Sequence, residues 1–229
     1  MDPILPGVYQ VSSGYVNAFL VDGDEGVTLV DTLLPKKQEV VISALASIGR
    51  TIEEVVAIVL THSHADHAGS AAALKSRSGA QVYASEPDAR AIRGEERPPP
   101  PPVADRLPWL SPLMRLLPVP PPASVEHLIG EAIGGRVPGH LRAIDTPGHT
   151  PGHTSYLLDR DGGAMFVGDA AVAVRGQIRR GYMNRPDPTF DASLRHIAEH
   201  DFDVALFGHA RPIASAASTA FRTFASTLR

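Results

Sequence analysis

Three short β-rich apolar runs open the chain, at 8–11, 16–21 and 27–30, separated by Ser-Ser-Gly and by Asp-Gly-Asp-Glu-Gly. Runs of this length broken by turn residues predict a meander of hairpins. After Pro35 the period changes: Val40, Val41, Ala44, Leu45 and Ile48 recur at helical spacing, and Gly49 closes the segment. Residues 55–60 are continuously apolar, as in a strand covered on both faces, and a helix rich in small residues is expected over about 69–77. A strand at 81–84 and a short helix at 86–93 follow. Beyond residue 136 the strand pattern returns at 141–145, 154–158, 164–167 and 204–207, with helices expected over 190–200 and 214–228. Two strand-rich halves, each with helices, predict a layered α/β domain.

The 229 residues suit one large domain, and 43% hydrophobic with 20% charged residues is ordinary globular usage. Proline is the exception. Five stand in a row at 98–102 and three more at 120–122, so an insert over about 97–123, carrying the single Trp, interrupts the domain. Stiff proline runs of this kind suit a lid over a site, or a flap packed on the body or on a second copy of the chain in a homodimer. Lys and Arg number 21 against 25 Asp and Glu, a formal charge of −4, which gives no basic excess for nucleic acid. No segment has the length of apolar residues that a membrane helix needs, and the first ten residues lack an export signal, so a cytoplasmic protein is expected. Cysteine is absent, so a bound metal must rest on histidine and carboxylate.

The histidines are not evenly spread. His62, His64, Asp66 and His67 fall within six residues at a predicted strand end, where alternation lets His62 and His64 reach one point and the following turn carries Asp66 and His67 to a second. That is a geometry for two adjacent metals. Three further ligand-type residues stand at predicted strand ends behind a glycine: His149 after Gly148, Asp169 after Gly168, and His209 after Gly208. Glycine permits the tight turn and close approach that such loops need. His127, His140, His196 and His200 lack ligand-type neighbours at useful spacing and are expected to be solvated or structural. The Arg175, Arg179 and Arg180 group suits a solvated charged turn better than an anion site. No Gly-x-Ser-x-Gly and no Gly-x-Gly-x-x-Gly occurs, which disfavours serine hydrolases and nicotinamide or flavin enzymes.

The combined motifs resemble the metallo-β-lactamase superfamily, in the branch of dinuclear metallohydrolases such as glyoxalase II and the lactonases. The resemblance covers nearly the whole chain and implies an αββα sandwich with the site at one edge, between two sheets. It also implies that His62, His64 and His149 hold one metal and Asp66, His67 and His209 the other, with Asp169 bridging. Asp31 and His153 take supporting positions behind them. The implied cofactors are two divalent ions, zinc first, with iron or manganese as alternatives. The implied chemistry is hydrolysis of an ester, lactone, thioester or amide by a hydroxide shared between the metals, with Asp66 orienting it or passing its proton on. Trp109, Met114 and Tyr182 are candidates for substrate contact. Two other readings stand beside this one: a mononuclear iron dioxygenase acting on persulfides with the same fold, and a metal-binding module without turnover.

Overall fold

The computed structural model describes residues 1–102, 116–133, 136–181, 183–184 and 187–228. Trp109, Met114 and Tyr182 lie outside the described residues, as does the middle of the proline-rich insert. The first sheet has six strands in chain order: β1 (Val8–Ser13), β2 (Val16–Gly23), β3 (Gly26–Val30), β4 (Val55–Val59), β5 (Gln81–Ser85) and β6 (His127–Ile129). Its first three strands are antiparallel, whereas β3 to β6 run parallel, joined by crossovers that carry α1 (Gln38–Ser47), α2 (Ala71–Ser78) and α3 (Glu86–Ile92). The second sheet is built from β7 (Arg136–Val137), β8 (Leu141–Asp145), β9 (Thr154–Leu158), β10 (Ala164–Gly168) and β13 (Val204–Phe207), in the order β13-β10-β9-β8-β7. A separate hairpin, β11 (Ala171–Val174) with β12 (Gln177–Arg180), precedes α4 (Pro188–Glu199), and α5 (Ala217–Ala225) ends the fold.

Alternation along the strands builds three apolar layers. In β2, Val16, Ala18 and Leu20 face α1 and α2, while Phe19 and Val21 face the other sheet. In β10, Ala164 and Phe166 meet that same inter-sheet layer, and Met165 and Val167 pack under α4 and α5 with Phe190, Leu194 and Phe221. A strand covered on both faces has no polar side to show, which is why these runs read as continuously apolar in the sequence. The layers are therefore helices, sheet, sheet, helices, an αββα sandwich. Phe19 and Phe166 lock the two sheets edge to face, with ring centroids 5.4 Å apart. Each is fully buried, and burial of such a ring is worth about 1.5–3 kcal/mol.

The observed elements follow the expected ones closely, with three additions. β6 and β7 are too short to show a period, and so are the four-residue strands of the β11–β12 hairpin. There Arg180 is no solvated turn residue, because its guanidinium grips Asp191 of α4 with bonds of 2.7 and 2.9 Å. The last helix starts at Ala217 rather than 214, since Ile213 bridges to Ala205 and Ala216 adopts a left-handed φ of 52°.

Strand polarity decides where the loops meet. β3 and β4 end at one rim of the first sheet, and β8, β10 and β13, parallel to one another through the antiparallel β9, end at the facing rim. Tyr156, fully buried on β9, spans the gap and donates from its hydroxyl to Leu60 O at 2.7 Å, just below the His62 loop. Tyr156→Phe would leave that buried carbonyl without its side-chain donor, and the expected loss is about 1–3 kcal/mol of unfolding free energy, read from the urea midpoint.

Candidate metal centre

All seven candidate ligands lie at that rim. His62, His64 and Asp66 with His67 follow β4, His149 follows β8, Asp169 follows β10 and His209 follows β13. Their donor atoms form two groups, His62 with His64 and His149, and Asp66 with His67 and His209, each within 4.8 Å. Asp169 joins them. Its Oδ2 lies 3.2 Å from His209 Nε2 and 3.5 Å from His149 Nε2, and its Oδ1 lies 3.4 Å from His67 Nε2. The glycines ahead of these residues are needed for proximity. A Cβ on Gly168, where φ is +57°, would sit 2.6 Å from His153 Nε2, and one on Gly208 would collide with Asp169 Oδ1.

Each ring surrenders one nitrogen to the scaffold and turns the other inward. Asp31 can only accept, so His67 donates to it from Nδ1 at 2.8 Å and keeps Nε2 for the centre. His149 Nδ1 donates to Asn184 Oδ1 at 2.7 Å, and His209 Nδ1 donates to Tyr15 O at 3.0 Å. The Thr61 hydroxyl gives its proton to Asp31 and so accepts from His62 Nδ1 at 3.0 Å. His64 is reversed: Nε2 donates to Pro99 O at 2.8 Å, and Nδ1 faces His149 Nε2 at 3.0 Å. The insert thus fixes one of the central rings through a main-chain carbonyl. His153 accepts the Asp169 N–H on Nε2 at 3.0 Å and bonds Thr146 through Nδ1 at 2.8 Å.

Backbone clamps hold the loops. Asp31, in a left-handed conformation with φ 59°, also accepts from Thr61 N at 2.8 Å, and Thr32 donates twice to His67 O. Three residues that sequence reasoning passed over belong here. Asp88, buried in the first turn of α3, accepts from Ser63 N at 2.7 Å, Thr150 Oγ1 at 2.9 Å and Gly152 N at 2.9 Å, tying the His62–His67 and His149–His153 loops together. Asn17 donates to the carbonyls of Phe207 and Ala210 around His209, and Asn184 donates to Asp169 O at 2.7 Å. Nothing local marks them: an Asp after Glu-Pro reads as a helix start, and an Asn as a turn.

A divalent ion fits this donor set. His62 Nε2 and Asp169 Oδ1 are buried without a hydrogen-bond partner among the described residues, although both are strong polar atoms that burial would otherwise penalise. The inward nitrogens of His64 and His149, and of His67 and His209, face each other at 3.0 and 3.3 Å, a spacing that suits a shared cation. Imidazole with carboxylate and no thiolate is the set for zinc, and also for iron or manganese. Charge is partitioned across the site. Burial alone would lower His67 and His209, but Asp169, Asp31 and Asp66 lift His67 to about 9, and hydrogen bonds to Asp169 and Asp66 lift His209 to about 11. Burial would raise Asp66, yet His67 and His209 bring it to about 2, and the same pair with His149 holds Asp169 well below the carboxylate range. On the other side burial lowers His149 to about 4 and His153 to about 3, and His62 falls as well.

The model of the metallo-β-lactamase superfamily matches residues 12–209. The chain belongs to that superfamily. It is 34% identical to YobT, an uncharacterized protein of Bacillus subtilis (strain 168), over 76% of this chain and 71% of that one. It is 29% identical to the hydroxyacylglutathione hydrolase of Halorhodospira halophila (strain DSM 244 / SL1), over 63% of this chain and 42% of the hydrolase, so the match spans less than half of that enzyme. Among solved structures, the MIM-2 metallo-β-lactamase superposes with a TM-score of 0.76 over 99% of this chain and 86% of that one at 24% identity, which shows the shared fold. The superfamily and its fold are thereby shown for this chain, and the His and Asp groups at its rim are candidate ligands for a divalent metal. Among the described residues no helix is long and apolar enough to cross a membrane.

Two outcomes are expected. Asp88→Asn should weaken metal retention about 10–100-fold in chelator competition and lower unfolding free energy by about 1–3 kcal/mol, because its three donors lose their carboxylate. Raised pKa values at His67 and His209 mean that both carry protons at pH 7 which a metal must displace. Metal uptake should then release about two protons per chain at pH 7, with affinity climbing as pH rises towards 9, as calorimetry in buffers of different ionisation enthalpy will show.

Proposed function

We propose that this chain is a dinuclear, zinc-dependent hydrolase that cleaves an ester, lactone, thioester or amide bond in a small, partly apolar substrate. The observation that carries the reading is Asp169, whose two oxygens reach His149 of one triad and His67 and His209 of the other. With both triads complete, a single-iron dioxygenase centre uses too few of the residues assembled. When bound, two divalent ions supply an acidified water as nucleophile and a Lewis acid for the scissile carbonyl. His62, His64 and His149 would hold one ion, Asp66, His67 and His209 the other, with Asp169 between them.

The side chains supply the rest. Asp66 is half-buried, borders the cavity and is ionised at neutral pH, so it is placed to orient the attacking water and pass a proton to the leaving group. Asp31, His153 and Asn184 keep the ligands from turning. An open cavity of about 560 Å³ lies over the centre, and its walls away from the ligands are apolar: Tyr15, Leu34, Pro101, Leu117, Pro118 and Met183. Among the described residues no Lys or Arg lines it, which supports a neutral or apolar acyl group over a multiply charged one such as a glutathione conjugate. Pro101, Leu117 and Pro118 come from the two described ends of the insert, which supports a lid role for it.

Asp169→Ala should reduce bound metal to about one equivalent and cut hydrolysis of p-nitrophenyl esters, lactones or thioesters by roughly 100-fold or more, with the fold retained. Mass spectrometry of metal content and a hydrolysis screen decide it. Two metals still bound to that variant would remove Asp169 as the bridge.

A further inference from the structure

A second group of ligand-type side chains stands apart from the centre, on the outer face of the helix layer. His196, in the last turn of α4, and His200, which caps that helix, share one side, with rings 5.2 Å apart. The chain brings Glu131 to them from the 3-10 turn after β6, and one ring nitrogen of each histidine with a Glu131 oxygen all lie within 4.8 Å of one another. Spacing along the sequence cannot show this, because the carboxylate lies 65 positions before His196.

The arrangement, an ion pair of His196 with Glu131 and Glu199, also has the parts of a metal site. His196 Nε2 faces both Glu131 oxygens at 2.9 and 3.0 Å, while its Nδ1 bonds Glu199 Oε2 at 3.0 Å. A ring that offers one nitrogen to a metal and donates from the other to a carboxylate is the usual support for a histidine ligand. Glu131 is itself fixed by a reciprocal pair: its N–H donates to Asp145 Oδ2, and its carboxylate accepts from Asp145 N, each at 3.3 Å. His200 Nε2 is buried and has no hydrogen-bond partner among the described residues, a cost that a ligand would relieve. Arg142 faces His200, but it is paired with Asp159 at 3.7 Å, and the carboxylates of Glu131, Glu199 and Asp145 surround the group. Donors in a tetrahedral zinc shell sit about 3.3 Å apart, and three donors within 4.8 Å of one another approach that spread, so Glu131, His196 and His200 would supply three of the four positions and water the fourth.

We infer that Glu131, His196 and His200 form a separate binding site for one divalent transition-metal ion of the zinc, nickel or copper class. Two imidazoles and one carboxylate select these ions over Mg²⁺ or Ca²⁺, which require oxygen donors. Bound metal would tie the 3-10 turn at Glu131–Ile133 to the end of α4, independently of the His62 centre.

The test equilibrates the purified chain and its His196→Ala/His200→Ala variant with increasing Zn²⁺ and counts bound metal by mass spectrometry. The wild type is expected to saturate at one equivalent more than the variant, with the same hydrolysis rate in both. Glu131 is exposed, so Glu131→Gln repeats the test without touching the helix, and it should lose the same equivalent. Glu199→Gln should keep the equivalent at about 10–100-fold lower affinity. Equal saturation of wild type and both ligand variants overturns the assignment, whatever the His62 centre holds.

Discussion

Five imidazoles and two carboxylates can be gathered at one rim only if each ring gives one nitrogen to the surrounding scaffold. Asp31, Asn184, the Tyr15 and Pro99 carbonyls and the Thr61 hydroxyl take those nitrogens. An imidazole so held has neither its tautomer nor its orientation left free. The inward nitrogens then converge without spending conformational entropy when a metal arrives. Asp169 is the counterweight, since without its charge the buried rings would repel or desolvate one another.

This arrangement explains why the site sits where it does. Two sheets packed face to face expose main-chain groups only at their rims, and the strand ends there are fixed by layers of fully buried residues on both sides. A loop of a few residues leaving such a strand can hold a ligand within tenths of an ångström. Asp88 and Asn17 extend that rigidity across chain segments distant in sequence. Specificity has different demands, and the apolar cavity walls come from Tyr15, Leu34, Met183 and the ends of the proline-rich insert, all outside the strands. The insert also reaches the centre directly through Pro99 and His64.

The charge pattern divides the centre in the same way as the ligands. The Asp66, His67 and His209 side gathers carboxylates around protonated rings, whereas the His62 and His149 side is neutral and strongly desolvated. The two halves therefore differ in how many protons a metal has to displace, and in affinity at a given pH. A polar cluster of this kind lowers stability unless it is fully paired, so the tight loop clamps and a bound metal would serve the same end.

The sequence by itself determined the layered α/β plan and marked the candidate ligands. Those features are carried by local signals: period-two and continuous apolar runs in the strands, helical spacing between them, and His, Asp and Gly placed at strand ends. It also marked Asp31 and His153 as supporting residues through the resemblance of their motifs. Only the tertiary structure decided which nitrogen of each ring turns inward, that Asp88, Asn17 and Asn184 hold the loops, that Arg180 clamps α4, and that Glu131 meets His196 and His200. Each of these depends on a partner far along the chain, and hydrogen bonds between distant segments leave no period or spacing to read. The register of packed strands alone brings them within reach.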